Sequence, residues 1–119
     1  MAPAQTLSQL TEAEYLDIER APEFKSEFFG GEMFAIAGGT IRHSLTATNL
    51  AGELRNRLKG GPCVPFNSDL RVKIAATGVF TYPDLSVICG PPEFLPGTDD
   101  TVLNPTLLAA FHIETLVIL

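Results

Sequence analysis

The 119-residue sequence predicts a mixed fold, α/β or α+β, held in a single domain. Three observations predict it. Apolar residues step by three or four from Ile41 to Leu58, shorter segments on either side alternate every second residue, and glycine pairs punctuate them at Gly30-Gly31 and Gly60-Gly61. The order reads helix, hairpin, helix, hairpin, strand, with no internal repeat and no low-complexity segment.

Thr11-Glu12-Ala13-Glu14 has the spacing of a capping box, in which a hydroxyl and a carboxylate three residues apart satisfy each other's backbone N–H. It opens a helix through about Glu19 that buries Tyr15, Leu16 and Ile18 and is ended by Pro22. Residues 25–29 and 32–37 read as strands flanking Gly30-Gly31, a linker suited to a primed hairpin turn, and Gly38-Gly39 closes the second strand. From Ile41 the spacing becomes helical. Ile41, Leu45, Thr48, Ala51, Leu54 and Leu58 form the expected inward stripe, Glu53 and Arg57 pair on the outer side, and Gly60-Gly61-Pro62 stops the helix. Two further strands, about Cys63 to Ile74 and Val79 to Cys89, are joined by Ala75-Ala76-Thr77-Gly78.

Within the last strand, Thr81-Tyr82-Pro83-Asp84-Leu85-Ser86-Val87-Ile88-Cys89 places an acid among residues that are apolar on both faces. A carboxylate in such surroundings needs a cation or several donors beside it, because desolvation otherwise raises its pKa. Pro83 cannot donate to a ladder and marks a strand start, an edge or a bulge. Counting back from Ile74 opposite Val79 puts Asp69 opposite Asp84, a like-charge pair that a divalent ion would reconcile, unless a one-residue bulge breaks the register.

The net charge of -6 argues against a broad basic surface. Residues 1–7 have neither the basic flank nor the apolar core of a secretion signal, and no apolar run reaches the length of a membrane span, so the expected location is cytoplasmic without membrane association. Cys63 and Cys89 lack metal-ligand spacing and read as buried reduced thiols. There is no Ser-His-Asp arrangement, phosphate-cradling glycine loop or zinc cluster.

The run EYLDIERAPEFKSEFFGGEMFAIAG, the helix IRHSLTATNLAGELRNRLKG, the block FNSDLRVKIAATGVFTYPDLSVICG and LNPTL together resemble the Uma-two restriction endonuclease family, a branch of the PD-(D/E)XK nucleases, over about residues 11–108. The resemblance implies a restriction-endonuclease-like core, a mixed sheet with flanking helices, and magnesium-dependent hydrolysis of DNA phosphodiester bonds. It implies Asp84 as the acid of the PD element and a magnesium ligand, Asp69 as a second metal-binding acid, Glu27 and Glu32 as catalytic acids of the early pattern, and His43 as the histidine opening the long helix.

The sequence also departs from the family. After Asn104-Pro105-Thr106-Leu107-Leu108 an E-V-x-S block is expected; Ala110 stands at its glutamate, Glu114 comes four residues late, and no lysine follows Lys73. Residues 1–10 are expected to be flexible, 109–119 to be an atypical apolar tail, and the C-terminal part of the domain to be missing. A short homologue and a reading-frame change near Ala109 both account for the tail, and the second is the expectation. Catalysis is expected to be impaired; the alternative is an inactive truncated domain that self-associates, as a homodimer for example, or binds a partner. An unpaired apolar tail also predicts poor solubility.

Overall fold

The computed structural model describes residues 6–7, 9–20, 25–36, 40–111 and 116–118. Pro22, Gly38-Gly39 and Glu114, each given a role above, lie outside the described residues. Thr6–Leu7, placed above in a flexible terminus, forms strand β1. The mixed fold is as expected: α1 (Glu12–Arg20) and α2 (Ile41–Leu58) accompany two sheets. The first, sheet A, contains β1, β2 (Ser26–Phe29), β3 (Glu32–Ala35), β5 (Arg71–Ile74), β6 (Val79–Thr81) and β8 (Thr101–Leu103) in the order β1-β3-β2-β6-β5-β8. The second, sheet B, has the order β10-β9-β7-β4, with β4 (Cys63–Phe66), β7 (Leu85–Cys89), β9 (Leu107–Phe111) and β10 (Leu116–Ile118). The tail thus pairs within a sheet, β10 lying antiparallel to β9.

Local chemistry explains the first elements. Thr11 and Glu14 complete the capping box, with Glu14 N donating to Thr11 Oγ1 at 3.1 Å and Thr11 N to Glu14 Oε1 at 2.9 Å. Gly30 and Gly31 both take positive φ, 61° and 81°, which the two central residues of the β2–β3 turn require. Tyr15 and Leu16 pack with Phe28, Met33 and Phe80 into the core between α1 and sheet A. The three rings lie 4.8 to 5.7 Å apart.

The inward faces of both helices match expectation at Tyr15, Leu16, Ala51 and Leu54 and differ elsewhere. On α1, Ile18 is exposed and Glu19 is buried, because its Oε2 accepts from Ser26 N and from the Tyr82 hydroxyl, both at 2.6 Å. On α2, Ile41 is 87% and Leu45 59% exposed, whereas Ala47, Leu50, Ala51 and Leu54 pack against Leu85 and Ala109 of sheet B. Small residues at 47 and 51 let the helix lie close to the sheet, and that contact selects the face.

The two long predicted strands each split, and they do so together. Ile74 faces Val79 as expected, and this ladder runs to Val72 opposite Thr81. A second ladder, in sheet B, begins with Phe66 opposite Ser86. Five residues, Asn67 to Arg71, separate the ladders on one side, and four, Tyr82 to Leu85, on the other. The extra residue is taken up in a turn at Asn67–Leu70, where Leu70 N donates to Asn67 O at 3.3 Å and Asp69 N to Asn67 Oδ1 at 2.9 Å. Asp69 therefore does not face Asp84; it ion-pairs with Lys25 at 2.5 Å.

A polar network braces this crossing. The Tyr82 hydroxyl donates to Glu19 and accepts from Arg71 Nε at 3.0 Å. Burial, and then the Glu19 bond, push the Tyr82 pKa up to about 12. Arg71 Nη1 reaches Asp100 Oδ2 at 3.1 Å, and Asp100 also binds Arg20 at 2.7 Å. The Arg20 bond holds the Asp100 carboxyl well below the usual carboxylate range.

Cys63 and Cys89 are a disulfide rather than the expected reduced thiols. They are directly opposed on β4 and β7, and the flanking Gly90 N–Pro62 O bond of 3.0 Å makes them a non-hydrogen-bonded pair, the position that brings side chains closest. A disulfide is uncommon in a reducing compartment, so this pairing lends no support to a cytoplasmic location. No helix among the described residues is long and apolar enough to cross a membrane.

Three outcomes follow from these contacts. Reducing the disulfide, which closes a sequence separation of 26 residues, lowers the unfolding free energy by about 3 kcal/mol in urea titrations with and without dithiothreitol. Tyr82→Phe strips a donor from buried Glu19 and costs about 1–3 kcal/mol, read from the urea midpoint. Because the folded Asp100 carboxyl titrates below its unfolded value, its stabilisation is present at neutral pH and lost as pH falls below about 4. Asp100→Asn accordingly shows a shallower loss of melting temperature between pH 5 and pH 2 than the parent protein.

Candidate functional site

Asp84 sits where the chain leaves sheet A and enters sheet B, between β6 and β7, after buried Pro83. α2 brings the partner. Thr40 caps the helix by accepting from His43 N at 3.1 Å, which sets His43 in the first turn. His43 Nε2 lies 2.7 Å from Asp84 Oδ1, the two side chains being 23% and 21% exposed. The pair forms one end of a cavity of about 410 Å³ whose other walls include Ser44 and Thr48 of α2 and Asn67 and Ser68 beyond β4.

Of the residues expected at the site, the structure joins Asp84 and His43. Glu27 lies on β2, where its carboxylate accepts from Thr81 Oγ1 at 2.5 Å, at the end of the strand that leads to Asp84. Glu32 is at the hairpin turn, in backbone register with Phe29. Asp69 is 78% exposed and paired with Lys25. Among the described residues no group of three or more His, Cys, Asp or Glu side chains is placed to hold a metal ion.

The β7–β9 ladder stops one residue short of Asp84. Val87 faces Leu107, Ser86 faces Leu108 and Leu85 faces Ala109, so Asp84 and Ala110 are the next residues in sequence beyond the last pair. Magnesium sites use one or two carboxylates with waters and substrate oxygens. Among the described residues the acids and histidines grouped at Asp84 and His43 number fewer than three, and these described donors by themselves do not make up a protein site for that ion.

Sequence reasoning missed Asn67, Ser68 and the Tyr82–Glu19–Arg71 brace. Tyr82 adjoined the singled-out acid in the sequence; the turn that carries Asn67 and Ser68 into the cavity wall had no signal beyond the Asn-Ser-Asp turn composition.

Comparison with known proteins agrees with this architecture. Residues 12–113 match the family model Uma2, described as "Putative restriction endonuclease". Two uncharacterized proteins of Synechocystis sp. (strain ATCC 27184 / PCC 6803 / Kazusa) are similar: one is 38% identical over 90 residues, covering 76% of this chain, and the other 37% identical over 109 residues, covering 92%. The chain spans 47% and 62% of their lengths. A crystal structure described as "a putative nuclease belonging to DUF820" from Anabaena variabilis superimposes with a TM-score of 0.58 at 23% identity, over 71% of this chain and 47% of that one, and so shares the fold. On the strength of the match over residues 12–113, the chain belongs to the Uma2 family of restriction-endonuclease-like proteins.

Proposed function

We propose that this chain is a nuclease domain that takes the phosphodiester backbone of DNA at Asp84 and, as it stands, hydrolyses it poorly. The observation that carries this reading is the Leu85–Ala109 pair that ends the β7–β9 ladder, beyond which Asp84 is the next residue on one strand and Ala110, where the family pattern has a glutamate, the next on the other. Family membership supports the nuclease-like character, and the nuclease-like fold of the structural neighbour accords with it. Restriction-endonuclease-like proteins generally work with divalent metal ions, and magnesium is the ion this reading expects. Because the donors present fall short of a site for it, no catalytic step is assigned to the ion.

The roles left to the protein's own residues are specific. Asp84 is the acid on which hydrolysis depends, and His43 holds its carboxylate in one orientation. Glu27 acts through Thr81 on the strand end ahead of Asp84, so it is a supporting residue in this reading. Asp69 and Glu32 make no assigned contribution.

The test is to restore the absent group. Plasmid nicking in magnesium is compared for the parent protein, Asp84→Ala and Ala110→Glu. Restoring one well-placed charged group at a reaction centre is worth about 10²-fold in rate. Ala110→Glu should nick faster by about that factor, should gain melting temperature when magnesium is added, and should lose both gains in combination with Asp84→Ala. No gain from Ala110→Glu, with equal nicking by the parent and Asp84→Ala, means that the domain does not hydrolyse DNA at this centre.

A further inference from the structure

The cations of this chain are not spread evenly. Four of its eight, Arg42, Arg55, Arg57 and Lys59, lie on α2 and its C-cap, where Glu53 is the one acid among fourteen in the chain. The remaining four, Arg20, Lys25, Arg71 and Lys73, are each ion-paired to Asp100, Asp69, Asp100 and Glu12. On α2, Arg57 pairs with Glu53, while Arg42, Arg55 and Lys59 are exposed and make no ion pair with a described carboxylate. A protein of net charge -6 therefore presents a local excess of positive charge along one helix.

The helix dipole accounts for part of this pattern only. Cations in the last turn, such as Arg55, are favoured by the partial negative charge of the C-terminal carbonyls, but Arg42 sits in the first turn, where a cation is disfavoured. No acid occupies that first turn to offset it.

The second observation is a groove. The cavity at Asp84 lies along the seam between α2 and the segment that follows β4. Further along that seam is a second cavity of about 460 Å³, lined by Arg55, Asn56 and Lys59 on one side and by Cys63, Val64 and Pro65 of β4 on the other. α2 ends at Gly60-Gly61 and β4 returns beside it, so the two cavities follow one another between the same pair of elements. One end carries the His43–Asp84 pair and the other carries two unpaired cations.

We propose that a DNA backbone lies in this groove, with a phosphate held by Arg55 and Lys59 at one end and the strand running past Asp84 at the other. The inference rests on the reading of Asp84 as the centre that takes a phosphodiester, and it adds where the rest of the strand is held. His43 and Arg55 are twelve residues apart, about 18 Å along a helix at 1.5 Å per residue. The groove therefore spans a few nucleotides of one strand. Ser44 and Thr48 on the same side of the helix offer hydroxyl donors between the two ends.

The experiment is fluorescence anisotropy with a labelled 20-base-pair duplex and no divalent metal, titrated with salt, using the full chain. Each phosphate contact contributes about 0.9 to the slope of log K against log salt. The Arg55→Ala, Lys59→Ala double variant should bind at least tenfold more weakly and lose one to two units of slope, because both side chains are exposed and the fold is retained. Arg57→Ala, whose partner is Glu53, should leave the slope within half a unit. An unchanged slope in the double variant, an equal loss in Arg57→Ala, or equally tight binding of polyglutamate overturns the proposal, the last indicating a general anion surface. The two readings fail separately: DNA binding that depends on Arg55 and Lys59 without hydrolysis by Ala110→Glu leaves the groove standing, and hydrolysis without that dependence leaves Asp84 standing.

Discussion

The crossing of two paired strands from one sheet to the other is the constraint on which the remaining structure depends. β4 and β7 are partners in sheet B, and their continuations β5 and β6 are partners in sheet A, with unequal numbers of residues between. An antiparallel pair cannot absorb one extra residue without a local break in its hydrogen bonding and a change of direction. That break is where Tyr82, Pro83 and Asp84 leave one ladder before joining the next. Pro83 suits it because a residue that has no N–H loses nothing where a ladder stops. Tyr82 pins it by filling both hydrogen-bonding roles of its hydroxyl, towards Glu19 and from Arg71. Asp84 is consequently presented between the two sheets, within reach of His43 on α2, and not opposite Asp69.

The second wall of the site depends on how α2 is rotated. A helix with apolar residues on more than half its circumference can settle on several faces, and the choice goes to the face that packs most closely. Ala47 and Ala51 allow that approach, with Leu50 and Leu54 filling the space beside Leu85 and Ala109. This rotation exposes Ile41 and Leu45, and it turns His43 towards Asp84. The same contact that half-buries the leucines therefore brings His43 to Asp84.

Electrostatics divides the molecule in a way the total charge conceals. Acids of α1 and the loop before β8 neutralise Arg20 of α1 and the cations of β5, so Arg20, Arg71 and Lys73 act as braces. The cations of α2 have one acid among them and remain directed to solvent. A negative total is therefore compatible with a surface that attracts a polyanion, because potential near a surface depends on the nearest charges within a Debye length of about 10 Å at 0.1 M salt. The excess lies along the seam that contains Asp84.

The sequence by itself determined the features that depend on neighbours in the chain. The capping box at Thr11, the glycine turn at 30–31, the end of α2 at Gly60, and the register of Ile74 with Val79 are all local, since they involve residues at most a few positions apart and chemistry that tertiary contacts rarely override. The importance of Asp84 was also legible, because an acid set in an apolar strand is conspicuous wherever the strand goes. Tertiary structure alone decided which residues meet. Whether Glu19 or Ile18 faces inward, whether Cys63 finds Cys89, whether Asp69 stands across from Asp84, and which side of α2 is buried all turn on pairings between distant segments. A single extra residue changes the register and so reverses the answer, and periodicity along one strand contains no information about its partner's count.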